Sequence, residues 1–191
     1  MIVLVDYIVS KYVPLGENPA SSEFRGKIGM AQGWISIISN MFLFVMKLFF
    51  GIISNSISLI ADAFHTLSDM ASSAVVVFGF KMASKPADIE HPFGHGRAET
   101  IAALTISILI GFAGFEFFKT SISRLMFIEM IHVSPVVFIV IIITIILKES
   151  MARLSYRLGD RINSDTLKAD ALHHRTDMFS SVLVLISFAG A

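Results

Sequence analysis

Long runs of apolar residues constrain this sequence more than any other feature. The segments Ile101–Phe115 and Val133–Leu147 contain no charged residue. A helix needs about 20 mainly apolar residues to cross the roughly 30 Å of hydrocarbon in a bilayer. The grouping of apolar residues predicts five such spans, near Gly33–Ser54, Ile57–Ala83, Glu99–Ser121, His132–Tyr156 and Asp165–Ala191. We therefore expect an all-α fold, a polytopic transmembrane helical bundle.

The composition excludes several other classes of protein. Hydrophobic residues make up 54% of the chain and charged residues 16%, against about 25% charged residues in typical soluble proteins. The chain has no cysteine, which excludes disulfide scaffolds, thiolate metal sites and thiol nucleophiles. Its formal net charge of zero argues against a partner nucleic acid. The expected surroundings are lipid.

The distribution of lysine and arginine predicts the orientation, because positive residues accumulate in cytoplasmic loops. One side of the predicted bundle carries Lys11, Arg25, Lys27, Lys81, Lys85, Arg97, Arg153, Arg157, Arg161 and Lys168, and the other carries Lys119 and Arg124. We expect a cytoplasmic N-terminus in the plasma membrane. Residues 1–32 are predicted to be a cytoplasmic tail or interfacial segment, not a cleaved signal, and residues 33–191 the membrane domain.

An internal repeat interrupts the second and fifth predicted spans. Residues 61–73 read ADAFHTLSDMASS and residues 169–181 read ADALHHRTDMFSS, with eight of thirteen positions identical. In a helix, Asp62, His65 and Asp69 share one face, and so do the corresponding residues Asp170, His173 and Asp177. The repeat therefore places the same ionisable groups on two separate spans.

Each repeat offers an imidazole and a carboxylate one helical turn apart, as His65 with Asp69 and as His173 with Asp177. Four nitrogen and oxygen ligands from two antiparallel helices suit tetrahedral zinc. A charged group at a helix centre costs about 2.5–3.5 kcal/mol to insert, so these groups need partners. We predict that the four form a shared metal site. Asp62 and Asp170 remain open between ligand and helix cap.

The other polar residues in the spans are expected to reach the membrane interface, to pair within their helix or to support the site. Lys47 and Lys148 are expected to extend their ammonium groups to the membrane interface, and Glu149 to pair with Arg153 at helical spacing. Arg175 and His174 lie off the ligand face, so His174 is expected to support the site or reach the interface. Asn40 is a candidate polar contact on the pathway.

A second candidate metal site lies in the loop after the second span, at Asp88, His91 and His95. A turn could bring one carboxylate and two imidazoles together, with Gly94 and Gly96 easing the backbone. The alternative is a tight turn into the third span, with no metal.

Three motifs together resemble the cation diffusion facilitator family. They are SISLIADAFHTLSD in the second span, HPFGHGRAE at His91–Glu99 and LKADALHHRTD at the start of the fifth. The similarity runs from about Trp34 to Ala191. It implies a homodimeric exchanger of divalent cations for protons, with six transmembrane helices and a transport site at His65, Asp69, His173 and Asp177. In zinc-transporting relatives the loop positions can bind an additional ion.

The resemblance also implies parts that these residues do not include. We expect five of the six spans within these residues, and the sixth span and a C-terminal cytoplasmic domain outside them. Paired histidine and aspartate are associated with zinc in the family, with cadmium, cobalt, iron and manganese as alternatives. No prosthetic group is expected.

The mechanism expected from the charges is secondary antiport. Two carboxylates and two neutral imidazoles neutralise a divalent ion and replace its water shell. The ordinary histidine pKa of about 6.5 lets protons compete for the same nitrogens. The alternative is a membrane metal sensor or assembly subunit that binds zinc without moving it. An enzyme is not expected, because no HExxH helix is present and four filled ligand positions leave none for water.

Overall fold

The computed structural model describes residues 21–126 and 135–189, and these residues form five helices without any strand. The helices are α1 (Ser22–Ile53), α2 (Ile57–Ala83), α3 (Arg97–Met126), α4 (Pro135–Arg161) and α5 (Asp165–Ala189). The all-α prediction is confirmed. Most of the predicted tail and the predicted start of the fourth span at His132 lie outside the described residues.

The helices extend beyond several of the predicted spans. α1 begins at Ser22 rather than Gly33, because Ser21 caps it, its Oγ accepting a hydrogen bond of 3.3 Å from the backbone N–H of Phe24. α4 continues to Arg161, past the predicted end at Tyr156. Apolar patterning locates the part of a helix that lies in hydrocarbon, whereas capping sets where the backbone hydrogen bonding ends.

Two short links of the same design join α1 to α2 and α4 to α5. Asn55 and Asn163 adopt left-handed backbone conformations, with φ of 49° and 50°, which asparagine tolerates better than most residues. The serine after each asparagine caps the next helix: Ser56 Oγ accepts from Leu59 N at 3.4 Å, and Ser164 Oγ accepts from Leu167 N at 3.3 Å. The repeat therefore includes the turns that begin α2 and α5.

α1 and α2 form one helical hairpin and α4 and α5 form another, and the two hairpins point in opposite directions. Arg25 near the start of α1 binds Glu99 near the start of α3, with Nη2 at 2.8 and 2.9 Å from the two carboxylate oxygens. It also donates to the carbonyl oxygens of Ile162 and Asn163 in the α4–α5 link. The α4–α5 link therefore lies at the end of the bundle where α1 begins, and the α1–α2 link lies at the opposite end. The repeats are inverted.

Two apolar clusters close the bundle at its two ends, with a polar layer between them. Phe24, Phe80, Ile106, Leu158 and Leu167 are among the buried residues of one cluster. Leu59, Val137, Val140 and Ile141 form the other. The intervening turns of α1, α2, α4 and α5 bury polar side chains. Apolar packing thus holds the helices together on both sides of the ionisable groups.

The outer surface of the bundle is apolar. Large hydrophobic side chains such as Phe112, at 68% exposure, project outward, whereas Lys148 is 1% exposed. In water this distribution would be unstable, but a lipid exterior accounts for it. Among the described residues, α1, α2, α4 and the Arg97–Glu116 part of α3 are long and apolar enough to cross a membrane. α5 carries the ionisable repeat in its first half.

Candidate metal centre

Two carboxylates, one from each repeat, meet in the polar layer around the ammonium group of one lysine. Lys148 Nζ on α4 lies 2.7 Å from Asp69 Oδ2 on α2 and 2.6 Å from Asp177 Oδ2 on α5. All three side chains are largely buried. The inverted repeats therefore direct their second aspartates to a common point.

The histidines of both repeats border the same carboxylates. His65 Nε2 lies 3.9 Å from Asp69 Oδ1, and His173 Nε2 lies 3.7 Å from that oxygen. His173 Nε2 is also 3.9 Å from Asp177 Oδ2. These distances exceed a hydrogen bond, and within the described chain His173 Nε2 is buried without a partner. His173 and the carboxylates are buried, whereas the side chain of His65 is 61% exposed.

The spacing of these atoms is close to that of a zinc site. Ligand atoms about 2.0–2.1 Å from a tetrahedral zinc are about 3.3–3.4 Å apart. His65, Asp69 and Asp177 each provide an atom within 4.8 Å of the others. A contraction of up to about 1.5 Å between these ligand atoms would bring them to the spacing of a zinc site. The three side chains therefore form a candidate cation site, in which the two carboxylates would neutralise the ion.

The prediction that Lys47 and Lys148 reach the interface was wrong, since both are buried in the bundle. Lys148 lies at the middle of α4, 13 residues from Pro135 at one end and from Arg161 at the other. At 1.5 Å per residue, each end is about 20 Å away. A lysine stem is much shorter than that. The predicted end of the span at Tyr156 placed Lys148 too near the membrane surface, and treating each helix alone concealed the carboxylates beside it.

The first aspartate of each repeat has a partner outside the Lys148 cluster. Asp62 Oδ2 lies 2.8 Å from Lys47 Nζ of α1, and Asp170 Oδ2 accepts 2.7 Å from Ser155 Oγ of α4. Lys47 and Ser155 occupy the same position relative to these aspartates, fifteen residues earlier in the chain. Each aspartate therefore ties its helix to the preceding one, which favours the structural alternative for Asp62 and Asp170.

Asp170 also belongs to a buried network on the α1 side of α5. Gln32 Nε2 donates to Asp170 Oδ2 at 3.0 Å and to Ser155 Oγ. His174 Nε2 lies 3.3 Å from the same carboxylate oxygen and 3.1 Å from Ser36 Oγ. His174 is fully buried, so it supports the helix packing and does not reach the interface. Sequence reasoning missed Gln32, whose polar side chain falls within the predicted N-terminal segment.

The remaining polar residues of the spans have separate positions. Glu149 and Arg153 form the predicted ion pair, with Nε 2.5 Å from Oε1. Arg175 Nε lies 3.9 Å from Glu149 Oε2, away from the carboxylate cluster. Asn40 is buried, and neither of its side-chain polar atoms has a partner in the described part of the chain.

The loop between α2 and α3 brings Asp88, His91 and His95 together. Asp88 Oδ1 is 3.5 Å from His91 Nδ1, and Asp88 Oδ2 is 3.5 Å from His95 Nε2. The imidazole rings are 4.5 Å apart between centroids. The backbone N–H of His91 donates to Asp88 Oδ1 at 2.7 Å, and this bond lowers the pKa of the Asp88 carboxyl below its ordinary value. Gly94, with φ of 78°, makes the turn.

A bundle with an apolar exterior and a layer of ionisable groups inside is an integral membrane protein. The sequence model described as the cation efflux transmembrane domain matches residues 33–191. The chain belongs to this family of cation diffusion facilitators, as its motifs predicted.

Curated relatives agree with this membership. An uncharacterized transporter of Methanocaldococcus jannaschii is 41% identical over 152 residues, which cover 80% of this chain and 54% of the relative. The magnetosome protein MamM of Paramagnetospirillum magneticum is 33% identical over 83% of this chain and 50% of the relative. The manganese efflux system protein MneP of Bacillus subtilis is 29% identical over 85% and 54%. The chain spans about half the length of these relatives.

Proposed function

We propose that this chain is the transport portion of a membrane exporter that exchanges a divalent metal cation, zinc in the first instance, for protons. The observation that carries the proposal is the meeting of Asp69 and Asp177 around one positive charge, with His65 and His173 beside them. These four residues would bind the cargo. The names of the relatives, which include a transporter and a manganese efflux protein, support metal export.

The inverted arrangement of the two hairpins supports alternating access. Transporters built from inverted repeats bind their cargo near the bilayer midplane, between the repeats. Here α2 and α5 supply equivalent ligands from opposite directions. Rocking one hairpin against the other would open the site to each side in turn, and protons from outside would displace the metal from the imidazoles.

The choice of zinc follows from the ligand types. Imidazole suits zinc, whereas sites built only from carboxylate and carbonyl oxygen favour manganese or magnesium. The relative named for manganese efflux is similar over most of this chain, so manganese is one competing cargo, and iron, cobalt and cadmium are the alternatives that the family resemblance implies. A cytoplasmic N-terminus, a plasma-membrane location and a homodimer in the longer protein complete the proposal.

Flux into proteoliposomes tests transport directly. Proteoliposomes that contain the purified protein should accumulate zinc, and a proton gradient in the proposed direction should accelerate this accumulation. His65→Ala and Asp177→Ala should each abolish flux, whereas Leu172→Ala, on the exposed side of α5, should retain it. Wild-type flux in either site variant would contradict the assignment. Zinc binding without flux in the wild type would favour the sensor or assembly subunit instead.

A second function is supported by the loop cluster of Asp88, His91 and His95. The ligating atoms of these side chains lie within 4.8 Å of one another, and His95 Nδ1 is buried without a partner in the described chain. We propose that this cluster binds an additional metal ion near the mouth of the bundle. A metal ion bound in this loop, outside the polar layer, would regulate transport or would supply the ion that is transported.

A further inference from the structure

We propose that the Lys148 ammonium is a tethered cation that competes with the metal for Asp69 and Asp177. This inference rests on the proposed function, because it concerns the same carboxylates. It adds a residue from α4, outside the repeated segments 61–73 and 169–181, to the machinery that loads and empties the site.

The position of Lys148 supports this role. Its Nζ contacts one oxygen of each carboxylate at 2.7 and 2.6 Å, and its side chain is 1% exposed. Like charges from α2 and α5 would repel each other in a low-dielectric interior without a cation between them. The ammonium therefore allows the bundle to close around an empty site.

A metal ion and the ammonium cannot share these positions. Zinc binds carboxylate oxygen at about 2.0–2.2 Å, so an ion bound to both Oδ2 atoms would occupy the space between them where Nζ lies. Two positive charges at that separation repel strongly. Loading must displace the ammonium, and release of the metal lets it return.

The competition has two consequences for transport. A monovalent ion offers the carboxylates no more charge than the ammonium already supplies, so the lysine favours divalent cargo. After protons on the imidazoles have displaced the metal, the tethered charge pairs with the two carboxylates while the metal-free, protonated bundle returns to the loading side. Lys148 would therefore weaken metal binding and speed the return step.

Metal affinity of the purified full chain tests the competition. Replacing Lys148 by Met keeps the length of the stem and removes the charge, so zinc affinity should rise on the order of tenfold, the usual scale of coupling between two ligands. Lys47→Met is the matched control, because Lys47 is also buried and paired with an aspartate but contacts neither Asp69 nor Asp177. It should leave zinc affinity unchanged.

The outcomes separate this inference from the proposed function. Lys148→Gln, whose amide can still donate a hydrogen bond, provides a second variant if the Met variant folds poorly, and zinc should raise the thermal unfolding temperature of either more than that of the wild type. Unchanged or weaker zinc affinity in the folded variants would overturn the competition. Wild-type zinc affinity in Asp177→Ala would instead overturn the proposed site.

Two modes of flux test the return step. Exchange of labelled for unlabelled zinc does not require the metal-free, protonated protein to reorient, whereas net exchange of zinc for protons does. In proteoliposomes, Lys148→Met should retain exchange and lose most net flux. Equal loss of both, or wild-type net flux, would contradict a role for the ammonium in the return of the metal-free site.

Discussion

Lys47 Nζ on α1 and Asp62 Oδ2 on α2 form an ion pair of 2.8 Å, in which the lysine side chain is 3% exposed and the aspartate 40%. The pair therefore joins a buried cation to an anion that reaches the surface of the bundle. Lys47 also donates to Thr66 Oγ1 at 2.8 Å. Removing the aspartate and removing the lysine should therefore change the stability of the protein by different amounts, because only the lysine charge is deeply buried.

Removing the aspartate should destabilise the protein more than removing the lysine. Asp62→Ala leaves a buried ammonium, and breaking a buried pair in this way costs about 3–5 kcal/mol. Lys47→Met leaves a carboxylate that is 40% exposed and five residues from the start of α2, where it can reach the water at the membrane interface, and should cost about 1 kcal/mol or less. Thermal unfolding in detergent measures both, and the double variant should recover most of the loss of Asp62→Ala. Equal effects of the two single changes would contradict the asymmetry.

Gly29 should be required for close packing of α1 on α2. A Cβ atom at this position would lie 2.3 Å from Cγ of the Phe80 ring, so Gly29→Ala should lower stability by about 1–3 kcal/mol. Gly111→Ala is the matched control, because no heavy atom lies within 4 Å of its added Cβ. There the better helix propensity of alanine should have a neutral or favourable effect of up to about 1 kcal/mol. Comparable unfolding temperatures for the two variants would refute this account.

His65→Asp should shift the preference from zinc towards manganese. The change replaces an imidazole beside Asp69 by an oxygen ligand, and harder cations prefer oxygen. Competition between the two ions in proteoliposome flux measures the ratio. Leu172→Ala, on the exposed side of α5, should leave the transported ratio unchanged. An unaltered ratio in His65→Asp would show that ligand type at this position is not the selectivity filter.

Asp88→Ala should remove one bound metal ion per chain while leaving the transport site able to bind. The carboxylate contacts both loop imidazoles and also accepts the turn-forming bond from His91. Metal analysis of the purified protein counts the ions. Glu90→Ala removes an exposed carboxylate from the same loop and should not alter the count. Loss of equal amounts of metal in both variants would indicate nonspecific binding to acidic groups.

Helical periodicity explains why the ligands on α2 and α5 could be proposed from the sequence. His65 and Asp69 are four residues apart, and so are His173 and Asp177, a spacing that places each pair on one helix face wherever the helix packs. The repeat also indicated that both pairs serve one purpose. Their arrangement around a common point, with His173 3.7 Å from Asp69, depends on how the two helices cross.

Lys148 shows what helical periodicity does not contain. Its spacing to Asp177 along the chain has no periodic meaning, and Asp69 is on a helix separated from it by α3. The carboxylates that Lys148 contacts lie on α2 and α5, so the sequence of its own helix does not reveal them. Contacts between helices depend on crossing angle and axial position, which side-chain spacing within one helix leaves undetermined.

The sequence by itself determined that the chain is helical, lies in lipid and carries two equivalent sets of histidine and aspartate residues, because hydropathy and helical spacing are local properties. The tertiary structure decided which charges meet. It separated Asp62 and Asp170, bound to Lys47 and Ser155, from Asp69 and Asp177, bound to Lys148. The physical reason is that a buried charge takes its partner from the neighbour that packing brings within about 3 Å, whatever their distance in sequence.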